Sequence, residues 1–244
     1  MKLIDKVVLI TGGGSGIGAA IAEALASEGA KVVIAGRRAE RLAATVKAIR
    51  TAGGTAQDIP VDVSQEEAII TLVEKTKTAL GPVDILVNNA GMHARHVPIH
   101  QHKTSTWDKT MALNLRTPFL LARAVIPHMR QQKYGHIVNI SSIAGLHVFP
   151  ESGAYTISKH GLNALTELIQ VENQAHNIHV HAICPGMVDA PMANGLPTVK
   201  ENLLTPEQVA ELVRWLVTQP DNVKIAQPIL MDTMKNPWQE PQSD

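Results

Sequence analysis

A single doubly wound α/β domain built on a parallel sheet is the fold class this sequence predicts, and three observations carry it. Short apolar, β-rich runs alternate along the chain with amphipathic stretches of helix length, the pattern of a parallel sheet covered on both faces. A glycine-rich turn joins the first such run to the first helix. The 244 residues suit one large domain and contain no internal repeat, low-complexity stretch or linker.

The elements follow in order. Val7-Val8-Leu9-Ile10 reads as a buried strand, and a helix over 15–28 follows and stops at Gly29. A strand at 31–35, a helix at 39–52 and the stop Gly53-Gly54 come next. A third strand covers 56–61. Ser64 then opens a helix with Glu67 three residues on, a capping box, and Gly81-Pro82 closes it before a strand at 83–87. A helix at about 106–129 contains Pro118, where proline removes a donor and crowds the carbonyl of Asn114, so a kink is expected there. The alternative is that Pro118 ends one helix and starts another, with Asn114 as a cap. Beyond it lie a strand at 136–140, a helix at 155–177 and a strand at 179–184. Thr205-Pro206-Glu207-Gln208 caps a helix to about 218, a last strand-like run covers 225–231, and a polar tail occupies about 236–244.

Composition narrows the class without naming a chemistry. Acidic and basic residues balance at 22 each, so no broad field attracts nucleic acid or anionic lipid. No apolar run approaches the roughly 18 residues of a spanning helix. The N-terminus runs straight into strand-like sequence, which leaves no room for a signal peptide. Cys184 is the one cysteine, so an internal disulfide is impossible, and a reducing cytoplasmic setting is expected.

Function enters with Thr11-Gly12-Gly13-Gly14-Ser15-Gly16-Ile17-Gly18. Glycines at 12, 16 and 18 allow a tight turn and let a pyrophosphate approach backbone N–H groups at a helix N-terminus. Turns use glycine anyway, but the strand–turn–helix context points to a nucleotide. A P-loop does not fit, because no Gly-Lys-Ser/Thr follows.

The Gly-x3-Gly-x-Gly spacing resembles the short-chain dehydrogenase/reductase family. Asn88-Asn89-Ala90-Gly91 after the fourth strand, Asn114 in the next helix, and Ser142 thirteen residues before Tyr155 match its order. So do Tyr155-x-x-x-Lys159 and Pro185-Gly186 after the sixth strand. The resemblance runs from residue 6 to about 192. It implies a Rossmann-like fold, a hydride-transferring oxidoreductase, and assembly as a homodimer or homotetramer through the helices holding Asn114 and Tyr155.

Tyr155 and Lys159 lie four apart, on one helical face. A nearby ammonium is expected to favour the phenolate of a group whose ordinary pKa is about 10. A surface Tyr–Lys pair is the ordinary meaning of that spacing; Ser142, Asn114 and the glycine turn argue otherwise. By resemblance, Tyr155 exchanges a proton with the substrate oxygen and Ser142 orients that oxygen. Lys159 also holds the nicotinamide ribose, and Asn114 supports a water in a proton relay.

At the end of the second strand, Gly36 stands where an NAD-preferring fold places a carboxylate, and Arg37 and Arg38 follow. Guanidinium groups can clasp a 2′-phosphate, so NADP(H) is expected rather than NAD. Two solvated arginines at a helix start are the bland alternative. By resemblance the remaining cofactor contacts are Ser15, Ile17, Asp62, Val63, Asn89, Ala90, Gly91, Pro185, Gly186 and Val188, although Asp62 could equally be a turn residue. Two departures stand out. Ala190 occupies the point where the family commonly has a threonine, and the run at 225–236 lacks an Asp-Gly-Gly ending.

His93, His96, His100 and His102 crowd the segment after the fourth strand without a carboxylate or cysteine at metal spacing, so no metal is expected. His93 and His147 are candidates for substrate contacts. The segment at about 190–205, centred on 192–204, is small and mostly apolar and reads as a lid over a small uncharged alcohol or ketone. A non-catalytic NADP(H)-binding regulator would tolerate loss of Tyr155, Lys159 or Ser142. A structural protein without nucleotide would leave Gly12, Gly16 and Gly18 unexplained.

Overall fold

The computed structural model describes residues 2–93, 97–194, 198, 200–220, 222–225, 227–234 and 237. Seven strands form one parallel sheet in the order β3-β2-β1-β4-β5-β6-β7. These are β1 (Val7–Thr11), β2 (Lys31–Gly36), β3 (Thr55–Pro60), β4 (Ile85–Asn88), β5 (Gly135–Ile140), β6 (Ile178–Pro185) and β7 (Ile229–Met231). The helices between them are α1 (Gly16–Ser27), α2 (Ala39–Thr51), α3 (Glu66–Leu80), α4 (Thr104–Met111), α5 (Thr117–Gln132), α6 (Gly153–Asn173) and α7 (Pro206–Val217).

Strand period sorts the core into two layers. Val8 and Ile10 on β1, with Val32 and Ile34 on β2, pack under α1, α2 and α7. Leu9, Val33 and Ala35 point the other way, onto α3, α5 and α6. A strand buried on both faces has to be apolar at every position, which is why Val7-Val8-Leu9-Ile10 shows no alternation. The strand order reverses between β1 and β4, and the crevice at the carboxyl ends there is where such sheets bind ligands.

Local chemistry sets the helix ends. At α7 the Thr205 hydroxyl accepts from the Gln208 N–H at 3.3 Å, while Gln208 Oε1 accepts from the Thr205 N–H at 2.8 Å, as the sequence predicts. The capping box expected at Ser64 and Glu67 does not form. Helix α3 starts two residues later, at Glu66, with Gln65 as an N-cap whose side chain makes no capping bond. The Ser64 N–H instead donates to Asp62 Oδ1 at 3.0 Å, so Asp62 closes a turn one step earlier. The final strand is also shorter than its sequence run, three residues against the expected seven.

The helix expected at 106–129 runs from residue 104 to 132 without a break, but in three segments. Between α4 and α5, Ala112–Arg116 is a π-helical turn in which the Thr117 N–H donates to the Ala112 carbonyl. Pro118 sits in the first turn of α5, where its missing N–H is tolerated, and Pro127 lies inside the same helix. The bend expected from Pro118 is thus taken up as a widened turn. Asn114 is not a helix cap.

Candidate active site

Four chain segments meet at the carboxyl ends of β1, β4, β5 and β6. The β1–α1 turn adopts left-handed backbone at Gly12 (φ 70°) and Gly16 (φ 54°). A Cβ on Gly18 would lie 2.4 Å from the Gly12 carbonyl oxygen, so the turn and α1 can be this close only without a side chain there. Ser15 is the extended N-cap of α1 and makes no side-chain cap, which leaves the first N–H groups of that helix to another acceptor. Ile17 packs on both the main core and a small cluster of Val188, Leu204 and Val209.

The turn is tied to β4 by side chains. The buried Thr11 hydroxyl accepts from the N–H groups of Asn89 and Ala90, both at 3.1 Å. Asn89 Nδ2 donates to the carbonyls of Thr11 (3.0 Å) and Gly12 (3.2 Å), so its amide shapes the cradle. Arg37 and Arg38 are exposed at the end of β2. Arg38 Nη2 donates to the Ser15 hydroxyl at 3.2 Å, which places a guanidinium at the lip of the glycine turn, and among the described residues Arg37 forms no ion pair. Asp62 spends one oxygen on its turn, and Val63 is core.

The opposite wall is the chain after β6. The Gly186 N–H donates to the Met231 carbonyl at 2.8 Å, and a Cβ on Gly186 would fall 1.9 Å from Asp232 Oδ1. Pro185 ends the strand, and Val188 is buried and bridges to Leu204, closing the base of the segment expected to be a lid. A Cβ on Gly16 would lie 3.1 Å from Ala190 Cβ, so that segment leans on the glycine turn. Residues 195–197 and 199 of the expected lid, and the tail at 236–244 apart from residue 237, lie outside the described residues.

Helix α6 brings Tyr155, Ser158 and Lys159 to this crevice. Lys159 is buried, and its Nζ donates to the Ile140 carbonyl at 2.8 Å. Burial lowers its amine to a pKa of about 8, against a smaller opposing pull from Cys184. Burial pushes the Tyr155 hydroxyl above its ordinary value; the Ser142 side chain offsets part of that, and Cys184 adds to it. This corrects the expectation that a neighbouring ammonium lowers the phenol. Lys159 Nζ stands 5.7 Å from the tyrosine ring centroid, and desolvation wins. Ser142 follows β5 in extended backbone, its Oγ accepting from the Ala144 N–H at 3.1 Å.

Asn114 fastens the π turn to the site. Its Oδ1 accepts from the Met92 N–H at 2.9 Å, and its Nδ2 donates to the Met92 carbonyl (2.9 Å) and to Ser158 Oγ (3.1 Å). Asn114 and Lys159 also face one small space: a Cβ on Gly91 would lie 3.5 Å from Asn114 Oδ1 and 3.9 Å from Lys159 Nζ. Asn114, Ser142, Tyr155 and Lys159 thus converge from three elements that the sequence alone keeps 45 residues apart at the extremes. Sequence reasoning missed Cys184 and Ser141, which border Lys159, because a thiol or hydroxyl at the end of an apolar strand carries no spacing signal.

The histidines separate. His93 Nε2 lies 3.4 Å from Ser152 Oγ, and its ring centroid is 4.5 Å from that of Tyr155. His147 and His100 are exposed, and His102 is half-buried, with neither buried ring nitrogen partnered among the described residues. His96 lies outside the described residues. Among the described residues no group of three possible ligands could hold a metal ion.

Comparison with known proteins agrees with this geometry. The family model described as short chain dehydrogenase matches residues 6–201. An uncharacterized oxidoreductase of Staphylococcus saprophyticus is 37% identical over 226 residues, 92% of this chain and 96% of that protein. One from Staphylococcus aureus is 34% identical over 227 residues, 91% and 95% of the two chains. A crystal structure of a metagenomic short-chain oxidoreductase in complex with NADP superposes with a TM-score of 0.85 at 37% identity, covering 96% of this chain and all of that one.

Proposed function

Since this chain belongs to the short-chain dehydrogenase family, and is an oxidoreductase of that kind, we propose that it moves a hydride between NADP(H) and a small uncharged ketone or alcohol. The observation that carries the reading is the convergence of Tyr155, Ser142 and Lys159 beside a glycine turn whose close packing on α1 a Cβ at Gly18 would break. A buried amine beside a half-buried phenol needs a reason, and proton transfer is one.

The cradle fits a dinucleotide. Gly12, Ser15, Gly16, Ile17 and Gly18 would receive its pyrophosphate at the N-terminus of α1, with Arg37 and Arg38 at the 2′-phosphate. Asp62 and Val63 would border the adenine, and Asn89, Ala90 and Gly91 the adjoining ribose. Pro185, Gly186 and Val188 would flank the nicotinamide. The NADP of the solved metagenomic relative supports this choice over NAD. When bound, the nicotinamide supplies or accepts the hydride. Tyr155, a neutral phenol, gives its proton to the carbonyl oxygen as that oxygen gains the π electrons. In the alcohol-oxidising direction the proton returns to the phenolate. Ser142 donates to the same oxygen, and Lys159, held by the Ile140 carbonyl, supplies positive charge beside the phenol. Asn114 keeps the π turn against Lys159's side of the site, supporting the water through which the proton is replaced.

The test is a panel of aldehydes, ketones and alcohols followed by NADPH absorbance. Turnover with NADPH and uncharged ketones is expected, and NADPH binding without turnover on any member would overturn the reading. Assembly as a dimer or tetramer belongs to the same reading. An apolar groove between Met111, Leu115, Phe119 and Leu165 supports it, and light scattering on the purified protein tests it.

A further inference from the structure

One side chain at the site is absorbed neither by the proton transfer nor by the cofactor cradle. His93 leaves the end of β4 two residues after Gly91, and its ring meets the Tyr155 ring at a centroid distance of 4.5 Å with the planes 55° apart. Its position is built. Ser152, buried at the N-cap of α6, makes no cap with its hydroxyl; that hydroxyl lies 3.4 Å from His93 Nε2 instead. The chain beyond is stitched to the same corner, with Val97 bridging Ser152 and its N–H donating to the Glu151 carbonyl at 3.0 Å. Gly153 closes the wall, since a Cβ there would meet Ile99 Cδ1 at 2.7 Å. An imidazole is therefore fixed in the wall of the crevice beside the proton donor, where an apolar side chain would serve a plain ketone better.

The reach of that imidazole defines what it can read. A carbonyl oxygen that accepts from Tyr155 sits roughly 2.7 Å from the phenol oxygen. An oxygen on the next carbon is only about 2.5–3 Å further along the substrate, given ordinary bond lengths. Tyr155 and His93 are close enough for one small molecule to touch both through two neighbouring oxygens.

We propose that His93 is a specificity-determining residue, selecting carbonyl substrates that carry a hydroxyl or second carbonyl on the carbon adjacent to the reacting one. The inference rests on the reductase reading above. Ser152 acts as a positioning residue, holding the imidazole through Nε2. An imidazole donates or accepts according to its tautomer, so both an α-hydroxyl and an α-carbonyl oxygen suit it.

The experiment uses matched ketones that differ by an α-hydroxyl against an α-methyl: hydroxyacetone with butanone, and 2-hydroxyacetophenone with propiophenone. Wild type, His93→Phe and His93→Gln are compared with NADPH, which cancels the intrinsic reactivity of each ketone. His93→Phe is expected to lower kcat/KM for the α-hydroxy member about tenfold, the size of one net hydrogen bond, mainly through KM, and to leave the plain ketone within about twofold. His93→Gln, which keeps a hydrogen-bonding group, should recover most of the loss, and NADPH affinity should not change in either variant. Equal losses on both members of a pair would make His93 a structural pin and overturn the assignment, as would no loss at all. If the wild type turns over no carbonyl compound while binding NADPH, the reductase reading falls first and this inference with it. Turnover of ketones without a His93-dependent preference removes only the role of His93.

Discussion

Titratable side chains gather at both ends of strands β5 and β6, and the two ends treat them differently. At the carboxyl end, Lys159 donates to the Ile140 carbonyl, Ser142 reaches Tyr155, and Asn163 contacts Cys184, so each group has a partner that favours one protonation state. At the amino end, His136, His179 and His181 stack on one another, with centroids 5.1 Å (136–179) and 6.5 Å (179–181) apart and planes within 23°. There burial lowers His136 to a pKa of about 3, helped by the His179, His181 and Lys6 charges, and His181 to about 4, helped by His179. Among the described residues His136 Nδ1 has no partner, and His181 Nδ1 meets Gln227 Nε2 at 2.8 Å. The same loss of water acts on a proton donor at one end and favours the neutral form of His136 and His181 at the other. What differs is the set of partners that the neighbours supply.

The largest test of that contrast is Tyr155→Phe. The phenol acts in the transition state and contributes little to dinucleotide binding, so turnover should fall roughly 10²–10⁴-fold while NADPH affinity and melting temperature hold. Near wild-type turnover would remove Tyr155 from the chemistry and leave the two ends alike.

The next effect lies at the rim of the carboxyl end, where no group is buried. Arg38→Ala and Arg37→Ala should each weaken NADPH and spare NADH, by about one to two decades for a charged hydrogen bond of roughly 1.5–3 kcal/mol. Arg38, which already reaches Ser15, should show at least as large a loss as Arg37. Fluorescence titration with both cofactors measures it, and equal wild-type affinities would count against the 2′-phosphate assignment.

Below these comes an effect confined to the amino end. The folded pKa values of His136 and His181 lie below the ordinary 6.5, so between pH 6.5 and about 4 the unfolded chain binds more protons than the native one. Stability from this source is complete above pH 6.5 and declines as pH falls, by about 1–2 kcal/mol per histidine at pH 5. His136→Phe should flatten the fall of the urea midpoint between pH 6.5 and 4.5 and leave turnover at pH 7 unchanged. An unaltered slope would mean that the cluster takes up protons without cost.

These two ends were not equally legible in the sequence. The carboxyl end announces itself because its residues sit in local patterns: glycines 12, 16 and 18, Tyr155 four before Lys159, Asn89 after an apolar strand. Such patterns survive in one dimension. The histidine stack depends on register, since His136 meets His179 only because Gly135 pairs with Ile178 across two strands joined by a 21-residue helix. Helix starts divide in the same way. Thr205 and Gln208 cap as their spacing predicts, whereas at Ser64 the Asp62 carboxylate takes the N–H first and the box never forms. The sign of the Tyr155 shift was also illegible, because spacing shows that an ammonium is near but not how much water both groups lose.

The smallest effect returns to the carboxyl end and concerns a backbone group. Pro118 has no N–H, so it cannot donate to the carbonyl of Asn114, four residues earlier, as a regular helix would require. The chain responds with the π turn at Ala112–Arg116, where the Thr117 N–H and hydroxyl both donate to the Ala112 carbonyl. That widened turn is what sets the Asn114 side chain against Met92 and Ser158. Pro118 therefore keeps a competing donor away from the Asn114 carbonyl, which by this reading holds a water on the lysine side of the site. Pro118→Ala supplies the missing N–H and allows the regular helix to compete with the π turn. Its melting temperature should rise, because a proline leaves a helix, and its kcat should fall by about tenfold or less through slight misplacement of Asn114, with NADPH affinity unchanged. A higher melting temperature with unchanged kcat would show that the widened turn arises from Pro118 but is not used, and Asn114 would then be held by Met92 and Ser158 alone.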